Sequence, residues 1–135
     1  MTFTKCMEQL SSDIGGRFTE YDPSNSVIIV PLGNGRYQTI LGCIYYSEEL
    51  MSEVVEFSSK VCNYHDGINL KMLLTENKHF LYAKFAVVDG FIKIEATTYL
   101  DELGSRNNEL LKNIVLEIAQ KADEWERKLT GLDVY

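Results

Sequence analysis

The tightest constraint in this sequence is the dipeptide Asp89-Gly90, which joins two runs, 82–88 and 91–99, in which polar and apolar residues alternate. Alternation with period two marks a strand with one buried face, and Asp-Gly tolerates the positive φ angles of the tightest antiparallel turn. Residues 82–99 are therefore expected to form a β-hairpin, with Phe85, Val87, Ile92 and Ile94 sharing a face. A hairpin cannot stand alone in water, so more strands or a helix must cover it.

Further strands lie upstream. Residues 17–21 alternate into the turn Asp22-Pro23-Ser24-Asn25, and the β-branched run 26–32 passes through Gly33-Asn34-Gly35 into a second alternating run, 36–46. Pro31 marks a sheet edge or a strand end, because it has no N–H to donate. Residues 54–62 place Val55, Phe57 and Val61 on one side and Glu56, Ser58 and Lys60 on the other. A helix over 48–57 also fits the spacing of Leu50, Met51, Val54 and Val55, but Ser58-Ser59 tips the balance toward strand.

Three helices complete the pattern. Phe3, Met7, Leu10 and Ile14 recur every three or four residues, with Thr2 or Thr4 available as a cap and Gly15-Gly16 as a stop. A short helix is expected from Asn69 to near Lys78. A helix of about six turns follows over 107–129, with Leu111, Ile114, Val115, Ile118, Ala122, Trp125 and Leu129 on one stripe. Ser105, Asn107 or Asn108 would cap its start and Gly131 would end it.

The order helix, strands, helix, hairpin, helix gives an α+β domain, an antiparallel sheet with helices packed against it, and excludes the βαβ alternation of doubly wound folds. At 135 residues, with 45% hydrophobic and 24% charged residues, the chain is expected to be a single domain spanning 1–135. The first residues lack the apolar stretch of a signal peptide, and runs such as Val27-Ile28-Ile29-Val30 fall far short of the ~20 residues that cross a bilayer. Cys6, Cys43 and Cys62 are odd in number and widely spaced, which suits buried thiols in a reducing compartment. Together these features predict a cytoplasmic, non-membrane protein. A net charge of −7 opposes binding to nucleic acid.

Catalytic constellations are sparse. Cys62, His65 and Asp66 lie close in sequence, but they fall in a turn-rich connection where His and Asp occur for turn chemistry. His65, His79 and the three cysteines have no metal-ligand spacing, and Glu48-Glu49 and Asp101-Glu102 lack the alternating oxygens of a calcium loop. Gly33-Asn34-Gly35-Arg36 is followed by neither a Lys-Ser or Lys-Thr pair nor a helix, so it reads as a turn and not as a phosphate cradle. The expectation is a non-enzymatic chain with no catalytic residues, no cofactor and no metal. Its distinctive content is aromatic and aliphatic: Tyr45, Tyr46, Tyr64, Tyr82, Tyr99 and Trp125, with Ile40 and Ile44 on the face opposite Leu41 and Cys43. A sheet apolar on both faces needs a second cover, from its own chain or from a partner.

The layout resembles the type III secretion chaperone-like fold, in particular its YbjN-like branch. The matching residues are Val30-Pro31-Leu32-Gly33-Asn34-Gly35-Arg36-Tyr37-Gln38, Phe57-Ser58-Ser59-Lys60-Val61, Leu73-Leu74-Thr75-Glu76-Asn77, Phe85-Ala86-Val87-Val88-Asp89-Gly90, and 119–129 with Ala122-Asp123. The resemblance spans nearly the whole chain and rests on the order and spacing of these segments. It implies a dimer-prone, non-enzymatic domain that holds another polypeptide. The expected function is thus a protein-binding or chaperone-like homodimer, with Phe3, Met7, Leu10, Ile40, Ile44 and Tyr46 as candidate contacts. The alternative is a small-ligand sensor or regulatory domain with a cleft beside Tyr64, His65 and Asp66.

Overall fold

The computed structural model describes residues 2–99 and 106–130, with the backbone alone described at 106–108. The elements are α1 (Phe3–Asp13), β1 (Arg17–Asp22), β2 (Asn25–Gly33), β3 (Arg36–Ser47), β4 (Ser52–Asn63), α2 (Leu70–Glu76), β5 (Lys84–Val88), β6 (Phe91–Tyr99) and α3 (Arg106–Thr130). A 3-10 turn, Asn77–His79, follows α2. The strands form one antiparallel sheet in the order β1-β2-β3-β4-β6-β5. The expected cap of α1 is present, with the Lys5 N–H donating to Thr2 Oγ1 at 3.2 Å. Of the expected caps of α3, Asn107 and Asn108 lie inside the helix, which already runs from Arg106, while Ser105, the stop at Gly131 and the pair Asp101-Glu102 lie outside the described residues.

The competition over 48–57 resolves as strand from Ser52 onward. Asp89 and Gly90 turn the β5–β6 hairpin with φ of 50° and 81°, and Phe85 pairs with Ile94 and Val87 with Ile92. Pro31 lies within β2 beyond the last β1 partner, since the β1–β2 pairing ends at Arg17 opposite Ile29. It therefore removes no ladder hydrogen bond from that side.

One face of the sheet carries Ile28, Val30, Ile40, Val55, Phe57, Ile92, Ile94 and Phe85, which share a core with α1, Leu73 of α2, and the α3 stripe from Leu111 to Trp125. Phe85 stacks edge-on against both Phe80 and Trp125, each at 5.4 Å between centroids. Trp125, grouped above with the tyrosines as aromatic content, belongs to this core, where its position on the α3 stripe places it. A β-bulge between Lys60 and Cys62 interrupts the β4–β6 ladder. Gln38 answers it: its Nε2 donates to Lys60 O at 3.1 Å and to Ser59 Oγ at 2.9 Å, while Ser59 Oγ donates to Thr39 O at 2.7 Å. These bonds tie the bulge to β3, a polar link that a buried glutamine can make where the ladder has an irregularity.

Candidate binding surfaces

Strand registry decides which side chains share a face. Ile28 pairs with Ile40, Gly42 with Phe57, Ile44 with Val55, and Phe57 with Ala96, so all of these point toward the helices. Their neighbours point the other way, because successive side chains alternate. Val27 pairs with Leu41, Cys43 with Glu56, Tyr45 with Val54, and Val54 with Tyr99, and these residues line the opposite face. No described helix packs on that face.

The expected contact residues separate under this geometry. Phe3, Met7, Leu10 and Ile40 are buried in the core, Ile44 packs partly against it, and Tyr46 is exposed near the end of β3. The apolar stripe of α1 and the Ile40 face of the sheet, each expected to meet a partner, meet each other. Gly42 eases this approach: a Cβ there would collide with Met7 Cε, the flexible end of that side chain, which would have to move aside. Burial of Phe3, Met7 and Leu10 against their own sheet contributes about 1.5–3 kcal/mol each. Phe3, Met7, Leu10 and Ile40 are thus core residues in the folded chain, and the surface open to a partner lies on the other side of the sheet.

That open side carries a continuous apolar band. Leu41 is 36% exposed, Tyr45 43% and Tyr99 53%, and the half-buried Val27, Ile29 and Cys43 join them. Val54 sits between its cross-strand neighbours Tyr45 and Tyr99 and is 1% exposed, yet it lies outside the core cluster. Beside the band runs a charged strip, Glu56 and Lys60 on β4, Lys93 and Glu95 on β6, and Lys84 on β5. Burial, and then the neighbouring Glu95 carboxylate, push the Glu56 carboxyl up, partly offset by Lys93. Lys60 Nζ lies 3.9 Å from the centroid of the Phe91 ring on the same face.

A second apolar surface lies between α2 and β5, a groove of about 130 Å³ lined by Leu70, Leu73, Leu74, Phe85, Ala86, Val87 and Ile92. Leu74 and Val87 stand well exposed at its rim. Next to it the β5 edge is partly closed, because the Phe85 N–H donates to Asn77 Oδ1 at 2.7 Å. The approach to β5 is closed by Glu117, whose carboxylate accepts the N–H groups of Leu81, Tyr82 and Ala83 at 2.8, 2.9 and 2.8 Å. Such side-chain caps blunt an edge that would otherwise template pairing with another strand.

The turn that carries Tyr64, His65 and Asp66 is exposed, and His65 Nδ1 accepts the Gly67 N–H at 3.1 Å, a local turn bond. Neither the α2–β5 groove nor the cleft beside Arg36 described below is lined by these residues. Cys62 is buried in the core, where burial and the Glu126 charge raise its thiol above its ordinary range, the opposite of what a nucleophilic thiolate requires. Among the described residues no group of three or more His, Cys, Asp or Glu is placed to hold a metal ion. Among the same residues, no helix is long and apolar enough to cross a membrane.

No protein-family model matches the chain, and no curated protein matches it.

Proposed function

We propose that this chain is a non-enzymatic, chaperone-like protein-binding module of the cytoplasm that works as a homodimer and holds an extended segment of a partner protein. The observation that carries the reading is the apolar band of Leu41, Cys43, Tyr45, Val54 and Tyr99 on a sheet face that no described helix covers. Contiguous exposed apolar surface rimmed by charge marks an interaction site, and flat aromatic side chains supply contact area at low entropic cost. The charged strip from Glu56 to Lys84 offers polar contacts along one side of a bound segment, as the rim of an interface does.

The second apolar surface, the α2–β5 groove, suits self-association, so that two copies leave their open sheet faces free. The order of one helix, four strands, a short helix, a hairpin and a long helix supports assignment to the type III secretion chaperone-like fold and its YbjN-like branch. In that assignment the partner segment is a stretch of polypeptide kept from folding or aggregating.

Light scattering combined with a holding assay tests the reading. The wild-type chain is expected at dimer mass and to suppress aggregation of an unfolded protein. Leu74→Asp is expected to give monomer, whereas Leu41→Asp with Tyr45→Asp is expected to keep the mass and lose the holding. Retained holding in the Leu41/Tyr45 variant overturns the assignment of the sheet face.

A further inference from the structure

On the helix side of the sheet, remote from the band just described, Asp123 of α3 brings two arginines together. Arg36 Nε lies 3.1 Å from Asp123 Oδ2, and Arg127 Nη2 approaches the same oxygen at 3.5 Å. The aspartate side chain is only 4% exposed, whereas those of Arg36 and Arg127 are 29% and 48% exposed. A buried carboxylate thus fixes two guanidinium groups at the surface from below. In front of them opens a cleft of about 270 Å³ lined by Pro31, Leu32, Arg36, Leu116, Gln120, Asp123 and Arg127.

We propose that this cleft binds a small organic monocarboxylate. A guanidinium carries five N–H donors in a planar fork, and the contacts to Asp123 engage Nε of Arg36 and one terminal nitrogen of Arg127. The remaining donors, with the Gln120 carboxamide, suit the two oxygens of a carboxylate. Two guanidinium charges against one carboxylate leave the lining with one net positive charge, which matches a monoanion better than a dianion in a chain of net charge −7. Glu126, three residues after Asp123 on α3, is buried and is not among the residues that line the cleft; its charge bears on Cys62. Pro31, Leu32 and Leu116 form an apolar wall for the ligand's hydrocarbon part. This site is separate from the turn around His65 and does not depend on the proposed partner binding.

Phenylacetate, inorganic phosphate and a short peptide ending in leucine, with a free or an amidated terminus, are the probes for NMR titration of the folded chain. Phenylacetate is expected to shift the Leu32 and Leu116 methyls and the Gln120 side-chain amide saturably. Arg127→Gln, a substitution at a half-exposed position, is expected to weaken binding at least about ten-fold, the loss of one charge-assisted hydrogen bond. Arg127→Lys keeps the charge without the fork and is expected to recover only part of the affinity. Tighter binding of the free-acid peptide than of phenylacetate, with none of the amide, identifies the carboxylate as a chain terminus; the reverse order identifies a small metabolite. Absence of saturable shifts, equal binding by a folded Arg127→Gln variant, or tighter binding of phosphate overturns the proposal.

Discussion

Ile40 and Leu41 are neighbours on β3 that face opposite sides of one sheet: Ile40 is 0% exposed beneath the helices, and Leu41 is 36% exposed on the side no described helix covers. Truncation should separate them. Ile40→Ala is expected to cost about 2–5 kcal/mol through lost burial and a residual cavity, and Leu41→Ala less than about 1 kcal/mol. Urea denaturation of the two variants checks this, and equal losses would mean that the two faces are not distinguished as described.

The connection from α1 to β1 has no room for a side chain at Gly16. A Cβ there would stand 2.8 Å from the Ile29 carbonyl oxygen and 3.1 Å from Ile28 Cγ2. Because the first obstacle is backbone, Gly16→Ala is expected to destabilise by about 1–3 kcal/mol. Gly42→Ala is expected to cost less, since its obstacle is the flexible end of Met7. The difference in denaturation midpoints measures the contrast.

Glu56 makes stability depend on pH. Its folded carboxyl is raised above its ordinary value, first by burial and then by Glu95, so the folded state holds its proton more tightly than the unfolded chain. The stability it contributes is full below the ordinary glutamate range and is lost as pH rises through the raised value. Glu56→Gln is therefore expected to raise the melting temperature at neutral pH and to flatten the pH dependence just above the ordinary glutamate range. Melting curves for both proteins from pH 4 to pH 7 are the check; an unchanged pH profile in the variant contradicts the assignment.

The strand positions, their alternation and the three helices were legible in the sequence because each is a local pattern: Asp89-Gly90 for the hairpin, the α3 stripe from Leu111 to Trp125, and the β-branched run of β2. Which apolar surface stays open was not legible. Alternation along β3 separates Ile40 from Leu41, but only tertiary packing determines which of the two faces α1 and α3 cover. Gly42, the site of the Met7 approach, was the available sign, since a glycine inside a strand marks close approach by another element. The Arg36–Asp123 pair joins residues 87 positions apart, a distance at which local periodicity carries no information.

The three cysteines divide by burial. Cys6 and Cys62 are buried and Cys43 is half-buried on the open face, and burial raises all three thiols. In the native protein one thiol is expected to react with an alkylating reagent on the timescale of minutes, and Cys43→Ser is expected to abolish that reaction while leaving the denatured protein with two reactive thiols. Mass spectrometry reads both outcomes; rapid modification of Cys6 or Cys62 in the native protein contradicts the burial pattern.

The same thiol measures the central claim, because Cys43 lies within the apolar band between Leu41 and Tyr45. The decisive measurement is its alkylation rate at fixed pH with and without an excess of a cysteine-free, unfolded polypeptide. If the open sheet face holds the segment, the rate is expected to fall about ten-fold or more once the complex has formed. An unchanged rate, with complex formation verified in the same sample, would contradict the account.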